Sequence, residues 1–342
     1  MAGFSASDKV LLLQHGCTDL LQLAQRRGAQ LHKLLSGTGI FEQDLHRPHA
    51  RIHYADWLTL LHNCQQQLHS TELPYLLGAA LLQNRYIALG QSLSHADNLL
   101  QALRQLYYYR HQLFPALYPV LYRQQQELII EFKPGLGMAS QWRNQCAIVI
   151  ALLTTLIKQQ LGSTAQLNVQ LQQSADLQIP LYLGANVLFA QPCDAIRIAL
   201  PACYQRFNDA DRQKYNAARR TCRQLNHVLP ARRGLLEQIY QLQRRALPHL
   251  LSLEQVASEL GMSASTLKRQ LQQQHSGFAQ LIDQIRADTA RRLLLQGGYS
   301  NRQLALKLGY SDEHNFRRAF KRWTGQLPSQ VKDQLKILLN LA

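Results

Sequence analysis

Acid is scarce in this chain, and so is charge as a whole. Only 17% of the 342 residues are charged, and 21 Asp and Glu stand against 37 Lys and Arg, a formal net charge of +16. That shortage of acid points to a polyanionic partner, nucleic acid or an anionic membrane surface. Long apolar runs are missing too. No window reaches the roughly 18 uninterrupted apolar residues of a membrane span, and the first nineteen residues lack the basic-then-apolar layout of a signal peptide. Neither a membrane segment nor secretion is expected. The six cysteines (Cys17, Cys64, Cys146, Cys193, Cys203 and Cys222) are scattered, with no C-x-x-C pair, which reads as reduced cytosolic thiols rather than disulfides.

Catalytic patterns are absent as well. There is no G-x-S-x-G, no Walker-type loop and no G-x-G-x-x-G after a strand, so an enzyme is not expected. His46, His49 and His53 fall in one loop without Cys or Asp companions, and Cys193 has no clustered cysteine beside it. No metal site and no cofactor are expected.

What is present is a phrase written twice. Residues 252–263 read SLEQVASELGMS and residues 300–311 read SNRQLALKLGYS. Six positions agree at an offset of 48: Ser252/Ser300, Gln255/Gln303, Ala257/Ala305, Leu260/Leu308, Gly261/Gly309 and Ser263/Ser311. Ser with Gln three residues on is a capping box. Gly supplies a left-handed stop, and the following Ser opens another helix. Each copy therefore predicts a helix-turn-helix whose second helix suits a DNA major groove. The spans are 253–274 and 301–323. Leu267, Leu271, Phe316 and Phe320 follow i, i+4 spacing and should point inward. Ser265, Thr266, Lys268, Arg269 and Gln272 then face outward on one helix, and Glu313, His314, Asn315, Arg317, Arg318 and Lys321 on the other. Between the copies, Phe278 to Leu295 reads as a long helix. At about 1.5 Å per residue its eighteen residues span roughly 27 Å, which with the flanking helices suits recognition helices one DNA turn, about 34 Å, apart.

The rest of the chain is mixed. Residues 8–35 have helical periodicity, broken at Gly28, and Tyr54 to His69 reads as a helix. Residues 75–91 are small and apolar, typical of tight helix packing, and Ser94 to His111 reads as a helix capped by Ser94. Residues 117–123 and 128–132 read as a hairpin. Trp142 to Leu161 is a helix apolar nearly all round, hence buried, with Gly162 as its stop. Leu167–Leu171, Val187–Phe189 and Ile196–Leu200 are strand candidates, and residues 208–226 form a polar, charged helix. The sum is an α+β domain over residues 1–229, a linker at 230–234 and an all-α domain over 235–342. The all-α part has the denser charge: residues 231–342 hold 17 basic and 8 acidic residues, against 20 and 13 in residues 1–230.

The second copy runs on as Gly309-Tyr-Ser-Asp-Glu-His-Asn-Phe-Arg-Arg-Ala-Phe-Lys-Arg-Trp-Thr-Gly325-Gln-Leu-Pro328. It resembles the signature of AraC-type transcription regulators, and the resemblance covers roughly residues 235–335. Two passages of the first two thirds, residues 76–110 and 185–200, resemble the arabinose-binding-type effector domain of the subgroup that includes ornithine-utilisation regulators. One departure stands at His275, where that subgroup usually has Gly.

The resemblance implies a bacterial, cytoplasmic, nucleoid-associated regulator of transcription, an activator controlled by a small molecule. It also implies double-stranded DNA as partner over two adjacent major grooves, with RNA polymerase and a second copy of the chain as further partners. By the same resemblance the base-contacting positions fall on Ser265, Lys268, Arg269, Glu313, His314, Asn315 and Arg318. Arg317, Lys321 and Arg322 are expected on phosphates. The effector is expected to be a carboxylate or lipid-like acid, held by Arg85, Arg110, Arg123 or Arg143 in a pocket among the strands and the Trp142–Leu161 helix. The rival from another class is an architectural DNA-binding protein, independent of ligand, whose N-terminal domain oligomerises.

Overall fold

The structure is a computed structural model that describes Phe4 and residues 8–47, 49–84, 86–137, 141–162, 165–228 and 233–331. Arg85, residue 229 and residues 230–232 of the expected linker lie outside the described residues. The chain divides into two compact units, one ending at Gly234 and the other beginning at Leu235.

The N-terminal unit is α+β. Strands β1 (Lys9–Leu12) and β2 (Arg51–His53) pair antiparallel as a small ribbon. The main sheet has five strands: β3 (Leu117–Gln124), β4 (Glu127–Pro134), β5 (Leu167–Gln170), β6 (Asn186–Leu188) and β7 (Ala195–Ala199). Their spatial order is β3-β4-β7-β5-β6, antiparallel throughout except for the parallel β5–β6 edge pair. Register sets the faces. Leu128 pairs with Ile198 and Ile130 with Ile196, so these side chains share one face of the pleat, and with Val169 they enter the main core.

Helix Trp142–Leu161 lies in the same core, buried from Gln145 through Leu156 except for Thr155. Its tightest partner is helix Leu73–Gln83. A Cβ on Gly78 would sit 2.2 Å from the Ile148 carbonyl oxygen and 2.8 Å from the Ala151 Cβ. The small apolar residues read from this stretch therefore serve close helix–helix contact, and Gly78 fixes how close.

Two local readings are corrected. Residues 8–35 are not helical throughout: Lys9–Leu12 is a strand, and helices Cys17–Arg26 and Leu31–Leu35 flank Gly28, which has φ +90°. The strand is a short Lys-Val-Leu-Leu run without alternation, and the stronger helical periodicity that follows masks it. The helix expected from Ser94 begins instead at Leu99, because Asn98 accepts the backbone N–H of Gln101 at 3.0 Å and caps it. Ser94 ends the preceding helix, Ala88–Ser94. The hairpin, the buried helix with its Gly162 stop at φ +65°, and the later strands lie where the sequence puts them. All six cysteines are free and buried.

The C-terminal unit is helical: Leu235–Ala246, Leu253–Glu259, Ala264–Gln273, Phe278–Gln296, Asn301–Lys307 and Glu313–Thr324. It has two cores. Leu236, Ile239, Val256, Leu260, Leu267, Leu271 and Leu281 form one. Ala290, Leu294, Leu304, Leu308, Phe316 and Phe320 form the other. The four residues read as inward-facing, Leu267, Leu271, Phe316 and Phe320, are all buried. Among the described residues no helix is long and apolar enough to cross a membrane.

Gly78→Leu should lower the stability of the N-terminal unit by about 1–3 kcal/mol through overpacking. Denaturant melts of the two proteins check this, and an unchanged midpoint would mean that the two helices can separate without cost.

Candidate nucleic-acid interface

Both copies of the repeated phrase fold alike. Ser252 Oγ accepts from the Gln255 backbone N–H at 3.3 Å, and Gln255 Oε1 accepts from the Ser252 N–H at 2.8 Å. Ser300 and Gln303 repeat the pair at 3.2 and 2.8 Å. Each box satisfies two of the free N–H groups of a first turn. Each first helix ends on a left-handed glycine, Gly261 at φ +70° and Gly309 at φ +78°. The next amide then returns to the last turn: Met262 N–H to Ala257 O at 3.0 Å, Tyr310 N–H to Ala305 O at 2.9 Å. Gly309 has a second reason to be glycine, since a Cβ there would lie 2.3 Å from the Pro248 carbonyl oxygen.

The copies differ where the second helix opens. Ser263 caps the first recognition helix and accepts from the Thr266 N–H at 3.2 Å. In the second copy Ser311 does not cap. Asp312, one residue on, accepts the Asn315 N–H at 2.7 Å. That backbone hydrogen bond holds the Asp312 carboxyl below the usual carboxylate range, so a negative charge sits at the helix start, where the macrodipole favours it.

On the first recognition helix Ser265, Lys268, Arg269 and Gln272 are exposed and Thr266 is half-buried. No protein group among the described residues pairs with the Lys268 ammonium or the Arg269 guanidinium. On the second, His314, Asn315, Arg318, Lys321 and Arg322 are exposed, while Glu313 and Arg317 are half-buried. Asn315 and Arg318 are already ordered: Asp312 accepts from the Asn315 amide at 2.5 Å, and Arg318 donates to the Asn315 carbonyl oxygen at 2.7 Å. Sequence spacing alone did not reveal this relay, although acid, amide and guanidinium at i, i+3 and i+6 is the signal for it. Glu313 accepts from the Asn301 amide at 3.2 Å, which joins the two helices of this unit. Arg322 is ion-paired with Asp283 of the connecting helix at 2.9 Å.

Three contacts seat the second helix-turn-helix on the connecting helix Phe278–Gln296. They are the Arg322–Asp283 pair, the Arg286 Nε donation to the Leu308 carbonyl at 3.2 Å, and the Arg286 guanidinium 4.9 Å from the Tyr310 ring centre. At the other end His275 takes the left-handed conformation that glycine would favour, with φ +53°. The Ser276 N–H returns to Leu271 O at 2.9 Å. Histidine at that position therefore leaves the helix exit in place. Gln243, fully buried, donates to Leu251 O at 2.7 Å and accepts from the Leu251 N–H at 2.9 Å, tying helix Leu235–Ala246 to the start of the first motif.

The arginines expected at an effector part company in the N-terminal unit. Arg110 is buried and donates to the carbonyls of Leu117 (3.2 Å) and Tyr107 (2.5 Å), which makes it a brace between a helix end and β3. Arg123 is exposed beside the hairpin turn and donates to Gln125 O at 2.9 Å. Arg143 borders a cleft of about 500 Å³, together with Tyr75, Asn144, Gln173, Asp176 and Ile179. This cleft lies at the start of helix Trp142–Leu161 rather than deep among the strands. Its walls mix polar side chains with Pro74, Ala147, Ala175 and Ile179. Asn144 exchanges hydrogen bonds with Gln65 at 2.8 and 3.1 Å, and burial, with the nearby Asp176 charge, pushes the Tyr75 phenol above its ordinary range. Among the described residues no group of three or more His, Cys, Asp and Glu is placed to hold a metal.

Residues 28–202 match the family described as the arabinose-binding domain of AraC transcription regulator, N-term, and residues 256–334 match a helix-turn-helix domain family. The ornithine utilization regulator of Pseudomonas aeruginosa is 26% identical over 318 residues, 92% of this chain and 94% of that protein. The regulator VirS of Mycobacterium tuberculosis is 36% identical over 108 residues, 31% of this chain and 32% of that one. The crystal structure of the regulator CdpR from Pseudomonas aeruginosa aligns over 80% of this chain and 91% of that chain at 20% identity, with a TM-score of 0.36. The first of these relatives is named as a regulator and the second as a transcriptional regulator.

Proposed function

Since the chain belongs to the AraC family of transcription regulators, with a DNA-binding helix-turn-helix domain and an N-terminal ligand-binding domain, we propose that it is a cytoplasmic activator. In this reading one chain reads two successive major grooves and a small organic acid controls it. The observation that carries the DNA part is the pair of recognition helices, each on its own core and both joined to one helix. The connecting helix of 19 residues is about 28 Å long at about 1.5 Å per residue. That length supports docking one DNA turn apart.

Arg269 and Lys268 donate to base edges, guanine O6 and N7 being the acceptors their geometry fits best, and Ser265 adds a hydroxyl. On the second helix Asn315 and Arg318 meet the bases as a unit already ordered by Asp312, with His314 beside them. Glu313 serves base recognition only by giving up Asn301. Arg317 and Lys321 hold phosphates, and Arg322 does so if it leaves Asp283, a surface ion pair worth no more than about 1 kcal/mol. The two faces have only an arginine in common, Arg269 on one and Arg318 on the other, so the site within one chain is asymmetric. A second chain would repeat it rather than mirror it internally.

The N-terminal cleft is the proposed effector site, with the Arg143 guanidinium as the carboxylate partner and Tyr75, Asn144 and Gln173 as orienting polar groups. Occupation would change the self-association of the chain or its engagement of RNA polymerase.

Arg269→Ala should cost about 1–3 kcal/mol on the cognate duplex and relax selectivity at one base position. Titrations on cognate and singly substituted duplexes read this, and equal weakening on every sequence would move Arg269 to a phosphate role. A library of small carboxylates screened by thermal shift should contain a compound that raises the melting temperature of the wild type. Arg143→Ala should lose that rise, and a shift that survives the substitution would put the ligand elsewhere.

A further inference from the structure

The N-terminal unit ends in helix Arg212–Val228, which carries Arg212, Lys214, Arg219, Arg220 and Arg223 and contains no Asp or Glu. At about 100° per residue, Arg212, Arg219 and Arg223 fall within about 40° of one another, and Arg220 adjoins them. Tyr215 and Cys222, about 60° and 80° from Arg212 on the side away from Arg220, are buried and border the row. The four arginines are exposed, and among the described residues no carboxylate is paired with any of them. Lys214, on the far side of the helix from the arginine row, is 3.7 Å from Asp211.

A fifth guanidinium joins them from the neighbouring helix Leu99–Tyr109. Arg104, Arg212 and Arg219 border a cleft of about 220 Å³, which Asp97, Gln101 and Tyr215 also line. Gln105 fixes the wall by donating to the Tyr215 phenol oxygen at 2.6 Å.

Such a row opposes its own helix. Like charges at i, i+4, here Arg219 and Arg223, destabilise a helix by a few tenths of a kcal/mol, and solvated surface helices usually mix signs to avoid this. A small anion in the cleft would meet Arg104, Arg212 and Arg219 but leave Arg220 and Arg223 unused. From Arg212 to Arg223 the row is about 16 Å long at about 1.5 Å per residue. That suits a linear polyanion, and duplex DNA presents one phosphate charge per about 1.7 Å of its axis. The chain itself brings one near. Only residues 229–234 separate Val228 from Leu235, a contour of at most about 25 Å at about 3.3–3.6 Å per residue. Once the recognition helices hold their site, flanking duplex is present at high effective concentration, whereas an acidic protein would have to be recruited separately.

We propose that the arginine face of helix Arg212–Val228 is an auxiliary phosphate-backbone contact for the DNA flanking the site read by the two recognition helices. The proposal rests on the DNA-reading function above.

The test uses the full-length chain and measures affinity against salt concentration on two duplexes. One is limited to about 20 bp, the span of two successive major grooves, and the other is extended on both sides. The wild type should show a log affinity–log salt slope steeper by about 2–4 on the extended duplex, at about 0.9 per phosphate contact. A variant with Arg212→Gln, Arg219→Gln, Arg220→Gln and Arg223→Gln should lose that difference and bind the short duplex as the wild type does. Glutamine keeps the helix propensity of arginine. Equal wild-type slopes on the two duplexes would overturn the proposal without any variant. So would equal weakening of the variant on both, or unchanged binding with loss of transcription in a reporter strain, which would assign the face to an acidic protein. If the wild type bound no duplex specifically, the reading of the recognition helices would fail instead.

Discussion

The DNA-binding unit depends on one constraint: a single helix has its two ends buried in two different cores. Leu281 near the start of Phe278–Gln296 packs with Leu267 and Leu271 of the first recognition helix. Ala290 and Leu294 near its end pack with Phe316 and Phe320 of the second. Neither recognition helix touches the other's core, so their separation is set by the rise of the helix between them, about 1.5 Å per residue. Ion pairs exposed to water could not fix that distance, since each is worth at most about 1 kcal/mol. Truncating a core leucine costs about 2–5 kcal/mol. The clamp of Arg286 and Asp283 then sets the roll of the second motif about the connecting helix.

The repeated phrase was legible because it consists of local rules. A capping box, a small residue for close approach and a left-handed glycine each act within one or two turns, so the sequence states them without tertiary context. Where a tertiary neighbour decides, the sequence was less informative. Asn301 engages Glu313 across the turn; the shift of the cap from Ser311 to Asp312, by contrast, is a local competition between neighbours. Gly309 is held by the carbonyl of Pro248, some sixty residues earlier, as well as by its own φ angle. His275 shows the opposite case, in which a left-handed position was read from the expectation of glycine and the backbone adopts it with another residue.

In the N-terminal unit, elements defined by strong periodicity or a clear stop were read correctly, the buried helix Trp142–Leu161 and the hairpin above all. A four-residue strand beside a helical pattern was not, nor was a cap by Asn98 behind an earlier serine. The candidate cleft was hidden for a different reason. Gln65, Tyr75, Arg143 and Asp176 come from four separate stretches, and only the packing of three helices and the segment ahead of helix Ile179–Leu183 brings them together. Of the four arginines proposed from sequence, burial makes Arg110 a structural brace and the hairpin occupies Arg123. Arg143 is left bordering open space.

The two proposed recognition faces share a scaffold and an arginine but otherwise differ in chemistry, and in the proposed reading the length of the connecting helix couples them. The most direct measurement of that coupling varies the spacing of the two DNA elements in a selected binding site. Inserting about five base pairs, half a turn, puts the elements on opposite faces of the duplex and should reduce affinity to that of one element alone. Affinity unchanged by the half-turn insertion would mean that the two helices move independently, and would contradict the account.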